Sequence, residues 1–347
     1  MVGETVAAPY RLAQVRLSNA IHTTVGVGHD VAHAALGPAR SAVTQLHAAT
    51  HARHLDDSTL RVMADGSGDT NDAFVRGVYR AADDDSVSSY GQIDRAVERI
   101  DDLDGPAQTR AKRLVADTDG DGVKYIDELD DDAFDIFFEI DNNPGFDGGA
   151  NFDQWRANLA RGSDGLGSER VNEYVVLVDE AASNPKITNA DGLVADIAGS
   201  QAAESQIRGQ AGEVRSALRY ADDNDVTDVT IEPGNGKHYD MRVQQEGGET
   251  QFVEVKTRAT GKDVDYHYAN SQLLNMNKKY ANAQSDPEID IGNSERTLEI
   301  RAGEDATDLE SAKTWVEHAI NDRPQIEADS VRLQASDGAS ETISIDS

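Results

Sequence analysis

The chain has 347 residues and carries 64 acidic against 32 basic side chains, for a formal net charge of −32 at pH 7. A charge of this sign excludes nucleic-acid affinity that depends on a generally basic surface. The sequence contains no cysteine, so disulfide bonds, thiolate metal sites and cysteine nucleophiles are excluded as well. The length is sufficient for two or three domains.

The acidic bias resembles that of salt-in halophilic proteins. Asp outnumbers Glu by 43 to 21, and Arg outnumbers Lys by 23 to 9. Dense carboxylates keep a surface hydrated in concentrated salt, where a Debye length of roughly 3 Å at 1 M screens their repulsion. We therefore expect a high-salt environment and a protein that loosens in dilute buffer.

No apolar stretch approaches the roughly 20 residues that cross a bilayer, so we expect no membrane span. The first 30 residues lack the charged, apolar and small-residue order of a signal peptide. The sequence thus predicts a cytoplasmic protein, or one exported by a non-classical route.

The first two hundred residues are expected to be mainly helical. Residues 1–100 carry apolar side chains at helical spacing, with Gly, Asp and Ser between the segments. Residues 101–165 form an acidic module, and residues 166–200 contain an apolar helix followed by a linker. This division predicts a domain boundary near 195–203.

The acidic module contains the string DTDGDGVKYIDE, which has the spacing of an EF-hand calcium loop. It is also similar to the calcium loops of dockerins and thrombospondin-type repeats. Lys124 departs from the pattern, since an apolar residue usually stands there, and a solvated acidic turn is the alternative. The predicted ligands of a structural Ca²⁺ are Asp117, Asp119, Asp121, Val123 and Glu128.

Beyond residue 201 helices and strands alternate, which predicts an α/β domain over 201–347. Helices are expected at 203–222, 266–283 and 307–321. Strands are expected at VTDVTIE, YDMRVQQ, TQFVEVKTR, RTLEIRA, SVRLQAS and ETISI.

A carboxylate and lysine constellation lies in this domain. Strand alternation places Glu254 and Lys256 on one face of TQFVEVKTR, and Asp240 precedes Glu254 by fourteen residues. A two-residue Gly247-Gly248 turn would put Asp240 on the wrong face, whereas a three-residue loop pairs Asp240 with Glu254. We therefore predict a three-residue or five-residue loop, or a bulge.

This constellation resembles the PD-(D/E)XK nuclease superfamily, in which an Asp on one strand and Glu-x-Lys on the next lie inside an α-β-β-β-α-β core. The resemblance implies a restriction-endonuclease-like mixed sheet flanked by helices. It also implies that Asp240 and Glu254 bind Mg²⁺ and that Lys256 acts as a base or an electrostatic stabiliser. A further carboxylate would come from the preceding helix, with Glu213 as the candidate and Glu204 as the fallback. Tyr239 precedes Asp240, at the position where the sequence pattern of the family has Pro.

Five of the nine lysines fall within 43 residues around this constellation, and residues 201–285 have a net charge of only −3. The clustering predicts a phosphate-binding surface. The segment SQLLNMNKKYANA is similar to a helix of RecB-like nucleases and of the tRNA-cleaving domains of contact-dependent growth-inhibition toxins. An amphipathic core helix with Leu273, Leu274 and Met276 inward is compatible with this interpretation. The predicted substrate-binding residues are Lys262, Gln272, Lys278 and Lys279.

The function expected from these features is Mg²⁺-dependent hydrolysis of nucleic acid, either tRNA or DNA, at the C-terminal end of a polymorphic-toxin-like chain. An immunity protein would then be a partner. The alternatives are a DNA-repair or restriction-like endonuclease, and a non-catalytic calcium-stabilised scaffold.

Overall fold

The structure is a computed structural model, and its chain divides into two compact units, residues up to Glu139 and residues from Ile140 onward. It describes residues 51–65, 69–83, 87–118, 120–146, 149–199, 204–231, 239–286, 289, 291–292, 294–303, 309–323 and 325–345. The N-terminal helices expected before residue 51 lie outside this range.

The described part of the first unit is a cluster of helices. Apolar side chains at helical spacing give each helix one buried face, as with Phe74 and Val78 or Ile93, Val97 and Ile100. Gly77 allows a close helix crossing, because a Cβ there would lie 2.3 Å from the Val115 carbonyl oxygen. The helices are α1 (Asp57–Asp65), α2 (Asp69–Asp83), α3 (Tyr90–Asp102), α4 (Gly105–Asp117), α5 (Asp121–Glu128) and α6 (Asp131–Glu139).

The segment predicted to be a calcium loop is largely helical. An EF-hand loop turns the carbonyl of its seventh residue toward the ion, but Val123 lies inside α5, where carbonyls are directed along the helix axis. Burial of Val123, Tyr125 and Ile126 favours the helix over the loop. Of the predicted calcium ligands, Asp117 is the last residue of α4, Asp121, Val123 and Glu128 lie in α5, and Asp119 lies outside the described residues. Calcium binding by this segment stays a prediction from the sequence.

The second unit begins with helices that precede its sheet. These are α7 (Phe152–Leu166), α8 (Ser168–Ser183), α9 (Asp191–Ala198) and α10 (Glu204–Ala221), with the short strand β1 (Ile187–Thr188) between α8 and α9. The sequence predicts an apolar helix and a linker over 166–200, with a domain boundary near 195–203. In the structure the compact units divide at 139/140. Strand β1 pairs with β2, and α8 packs against α10.

The sheet has seven strands in sequential order. Strands β2, β3 and β4 form an antiparallel meander, and β4, β5 and β6 are parallel to one another. At the two edges of the sheet, β1 pairs parallel with β2 and β7 pairs antiparallel with β6. The strands after β1 are β2 (Val226–Ile231), β3 (Met241–Gln245), β4 (Thr250–Thr257), β5 (Glu295–Arg301), β6 (Ser330–Gln334) and β7 (Ser340–Ser344).

Helices cover both faces of the central strands, which explains why β4 and β5 are buried along most of their length. Two crossover helices, α11 (Tyr266–Ser285) and α12 (Leu309–Asn321), share one apolar cluster with Phe252, Leu298 and Ile300. Helix α10 lies on the opposite face, where Ser216 bonds to Glu299 of β5.

The mixed α/β fold predicted for residues 201–347 is confirmed, and each predicted helix and strand matches an observed element to within two residues at either end. In the part of the chain that the structure describes, no helix is long and apolar enough to span a bilayer.

Candidate active site at the end of strand β4

The β3–β4 hairpin brings Asp240 and Glu254 together. The two strands pair Met241 with Val253, so the same register continued by one residue sets Asp240 opposite Glu254. The Gln245 N–H donates to the Glu249 carbonyl at 2.9 Å, which leaves a three-residue loop. Its last two residues are glycines with φ of +98° and +86°, a conformation that glycine adopts without strain. Of the predicted alternatives, a three-residue loop, a five-residue loop or a bulge, the structure has the three-residue loop.

The backbone holds the Asp240 carboxylate in place. Its Oδ2 accepts the Val255 N–H at 2.8 Å and the Lys256 ammonium at 3.3 Å. The Asp240 N–H donates to the Val253 carbonyl at 3.0 Å. The Lys279 ammonium lies 3.8 Å from Oδ1, so one carboxylate oxygen is fixed and the other faces cationic groups.

Glu254 is fully buried, with 0% of the residue exposed. Its Oε1 lies 2.6 Å from the Lys256 ammonium, and its Oε2 lies 3.2 Å from the Lys279 ammonium. Both oxygens face the two lysines, and no described backbone group donates a hydrogen bond to either of them. Burial and the Asp240 charge raise the pKa of Glu254 to about 7, against the lowering effect of the two lysines. The carboxylate thus sits where additional positive charge would stabilise it.

Lys256 is held between the two carboxylates. Its ammonium also donates to the Val255 carbonyl at 2.8 Å. Burial alone would lower the pKa of Lys256, but Asp240 and Glu254 outweigh it and raise the pKa above its ordinary value. The side chain is therefore protonated at neutral pH, which favours the electrostatic role over that of a general base.

Helix α10 contributes a third carboxyl group to the electrostatics of the site. Burial raises the pKa of Glu213 well above its usual range, and the charges of Asp240 and Glu254 raise it further, against the lowering effect of Lys256. The carboxyl group of Glu213, the candidate from the preceding helix, thus interacts electrostatically with the strand residues. The side chain of the fallback, Glu204, lies outside the described residues.

The four predicted substrate-binding residues occupy different environments. Lys262 is exposed on the turn after β4, and Lys278 is exposed on α11. Gln272 is buried and accepts a hydrogen bond from Asn275 at 3.1 Å. Lys279 is half-buried, and its ammonium lies within the carboxylate cluster.

The position of Lys279 depends on how α11 packs. Leu273 and Met276 are buried, as the core interpretation of this helix expects, while Leu274 is exposed. Lys279 follows Met276 by three residues, so it lies on the same side of α11 as the buried Met276, whereas Lys278 lies on the exposed side. The helical spacing of each lysine from Met276 is the sequence signal that could have placed Lys279 in the site and Lys278 on the surface.

The donor set fits a divalent cation that keeps part of its hydration shell. Among the described residues, no three carboxylate or histidine side chains stand together as a metal shell. Mg²⁺ nevertheless binds through one or two carboxylates with water and substrate phosphate. Asp240 and Glu254 supply such a pair, set opposite each other by the register of the β3–β4 hairpin.

Residues 210–281 match the family described as "Protein NO VEIN, C-terminal". No curated protein and no solved structure matches the chain. The matched segment is about a fifth of the chain, and it runs from the middle of α10 to α11. It therefore contains Glu213, Asp240, Glu254, Lys256 and Lys279, the complete cluster described above.

Proposed function

We propose that this protein is a metal-dependent nuclease that hydrolyses phosphodiester bonds. The observation that carries the proposal is the opposed pair of buried carboxylates, Asp240 and Glu254, with the protonated Lys256 between them. Charged groups are buried together at a cost in desolvation, and perturbed pKa values of this kind cluster at functional sites. The family match spans the cluster and is compatible with nuclease-like chemistry.

Asp240 and Glu254 would hold the metal ion. When bound, Mg²⁺ neutralises phosphate charge and lowers the pKa of a coordinated water. The resemblance to the PD-(D/E)XK superfamily, an Asp on one strand and Glu-x-Lys on the next, supports this assignment.

The chain's own residues then position and stabilise the reacting phosphate. The Lys256 ammonium is fixed by the Val255 carbonyl and the carboxylates, so it offers a preorganised positive charge to the negative charge that develops on phosphate oxygens. Burial and the charges of Asp240 and Glu254 raise the pKa of the Glu213 carboxyl, which favours its neutral form beside the two strand carboxylates.

Nucleic acid is the substrate class that the charge distribution supports. The stretch 201–285 has a net charge of −3 in a chain of −32. The exposed Lys262 lies on the turn after β4, and the exposed Lys278 lies on α11 beside Lys279 of the cluster. The likeness of α11 to the corresponding helix of tRNA-cleaving toxin domains favours tRNA and an effector role. A DNA-repair or restriction-like role uses the same chemistry on DNA.

Cleavage of defined substrates by the full-length chain tests the proposal. The protein is incubated with tRNA, single-stranded DNA and duplex DNA in Mg²⁺ or EDTA, over a range of KCl concentrations. We expect Mg²⁺-dependent cutting of one substrate class, which is lost in Lys256→Ala and Glu254→Ala. Glu249→Ala, an exposed acid on the same hairpin, is the matched control and should cut normally. A folded protein that cuts none of the three substrates would refute the proposal and favour the scaffold alternative.

A further inference from the structure

The side of the sheet that carries Glu299 is polar along β5 and β6. The register of these strands sets Thr297 beside Ser330, Glu299 beside Arg332 and Arg301 beside Gln334 on this side. The opposite side of the same strands is apolar and packs in the cluster with α11 and α12. Parallel strands that are covered by helices on both faces are normally apolar on both. The polar side of β5 and β6 is therefore suited to a polar ligand.

The carboxylate of Glu299 is enclosed by positive charge. Glu299 is fully buried. Its Oε1 accepts the Ser216 hydroxyl at 2.6 Å and an Arg301 N–H at 3.1 Å, and its Oε2 accepts an N–H of Arg219. Both carboxylate oxygens are thus bound, and two arginines share a single negative charge.

Arg332 is a third arginine beside this carboxylate, directly opposite Glu299 in the register of β5 and β6. Its guanidinium makes no ion pair or hydrogen bond with any residue that the structure describes, and its Nε is buried. Buried donors are normally hydrogen-bonded, so a ligand with acceptor oxygens would complete this one. Arg219, Arg301 and Arg332 together exceed the charge of Glu299 by two.

Neighbouring charges leave this excess in place. Arg215 pairs with Glu173, so the two add no net charge. Glu295 is the first residue of β5 and accepts hydrogen bonds from Thr297 and Ser330, one row away from Arg332. Burial lowers the pKa of Arg301, and the charges of Arg215 and Arg219 lower it further, against the raising effect of Glu299. An anion would relieve this repulsion between guanidinium groups.

The ring of Tyr220 orders two of the guanidinium groups. Tyr220 of α10 is 6% exposed. The guanidinium carbon of Arg219 lies 4.2 Å from the centroid of this ring, and that of Arg332 lies 6.0 Å from it. Planar groups held by stacking offer their N–H pairs for the bidentate recognition of phosphate. Thr342 of β7 is exposed beside Arg332 and adds a hydroxyl donor.

From these contacts we propose that Arg332 and Arg219, ordered by Tyr220, form a binding site for a phosphate group. The phosphate belongs to a nucleic-acid strand or is a free anion, since both present the same oxygen acceptors. Arg332 lies two strands from Val255 of β4, which is about 10 Å at the usual strand spacing. The inference does not rest on the proposed nuclease function, because neither Asp240 nor Glu254 takes part in these contacts.

Thermal unfolding of the full-length chain in EDTA is the first test. Inorganic phosphate replaces chloride at constant ionic strength. Phosphate should raise the Tm of the wild type, because a ligand of the folded state stabilises it, and Arg332→Gln should lose most of this shift. Arg76→Gln removes the same charge from an exposed position on α2 and should keep the full shift, which separates binding at Arg332 from a general salt effect. In KCl alone the Tm of Arg332→Gln should equal or exceed that of the wild type, because Arg332 has no carboxylate partner to lose among the described residues.

Fluorescence anisotropy of a labelled single-stranded oligonucleotide, as RNA and as DNA, is the second test. A site for a nucleic-acid strand predicts that Arg332→Gln weakens binding on the order of tenfold and that the slope of log Kd against log salt falls by about one. Arg332→Lys keeps the charge without the planar fork and should recover part of the affinity. A phosphate-dependent Tm shift that needs Arg332, with unchanged oligonucleotide affinity, assigns the site to a free anion.

Equal behaviour of the wild type, Arg332→Gln and Arg76→Gln in both tests would overturn the inference. That outcome leaves any cleavage, and so the proposed function, intact. Binding that depends on Arg332 in a chain that cleaves no substrate would reject the nuclease and retain the phosphate site.

Discussion

The contact between α10 and β4 positions Glu213, and it can be tested by adding one methyl group. Gly212 lies on the face of α10 that packs on the sheet. A Cβ built there would stand 1.9 Å from the Thr257 hydroxyl oxygen and 3.3 Å from both the Thr257 Cβ and the Arg301 Cδ. Gly209, on the same helix, has nothing within 4 Å of its added Cβ. The two glycines thus form a matched pair of substitutions.

The expected magnitudes follow from two opposing terms. Replacing Gly by Ala inside a helix stabilises it by about 1 kcal/mol, and this gain applies to both positions. Overpacking a close contact costs about 1–3 kcal/mol, and this cost applies to Gly212→Ala alone. The free energy of unfolding of Gly209→Ala should therefore exceed that of the wild type by about 1 kcal/mol, and it should exceed that of Gly212→Ala by about 1–3 kcal/mol.

Urea denaturation of the two variants measures this difference, provided that the slopes of the transitions agree. Gly212→Ala should also slow cleavage, on the order of tenfold or more, since small displacements of catalytic groups have large effects. In a Thr257→Ala background the closest atom is gone, and Gly212→Ala should become neutral or stabilising. Equal stabilisation by Gly212→Ala and Gly209→Ala would refute the packing of α10 against β4.

Two other predictions concern single side chains. Lys279→Ala should reduce the cleavage rate by a factor on the order of 100, because the Lys279 ammonium lies 3.2 Å from the Glu254 carboxylate. Lys278→Ala should change mainly KM. Identical effects of the two variants in steady-state kinetics would contradict the placement of Lys279 in the cluster and of Lys278 at the substrate surface. Burial alone would raise the pKa of Asp329, but hydrogen bonds from Arg296 outweigh it and lower the pKa, so this pair stabilises the fold above the ordinary Asp pKa and loses its effect as pH falls. Asp329→Asn should therefore cost about 1 kcal/mol of unfolding free energy at pH 7, a value kept small by solvent screening of a partly exposed pair. The difference from the wild type should begin to shrink below about pH 4 and should vanish only below the lowered pKa of Asp329. A difference that is independent of pH in thermal unfolding would contradict this prediction.

The sequence predicts the part of the site on the β3–β4 hairpin well, because strand alternation and hairpin geometry depend on residues close together in the chain. Alternation along TQFVEVKTR sets Glu254 and Lys256 on one face, and two glycines in the hairpin restrict the loop length. Together these fix the register that places Asp240 opposite Glu254. The helices and strands from α10 to β7 are predictable in the same way, from the spacing of their apolar residues and from the turn-forming residues between them.

Features that depend on packing between distant segments are not predictable in this way. The two residues of β1 join the sheet by pairing with β2, which nothing in the composition of the expected linker indicates. The helix over Asp121–Glu128 buries its apolar side chains together, a packing that the acidic spacing of the segment does not indicate.

The most direct test of the account is the rate of phosphodiester cleavage as a function of Mg²⁺ concentration, with the substrate identified from the panel of tRNA and DNA. The wild type should show a saturable dependence on Mg²⁺ and no activity in EDTA. Asp240→Asn and Glu254→Gln should lower the maximal rate by a factor on the order of 100–1000 at every Mg²⁺ concentration, while the exposed Glu249→Gln titrates as the wild type does. If both carboxylate variants follow the wild-type curve, Asp240 and Glu254 do not form the catalytic metal site.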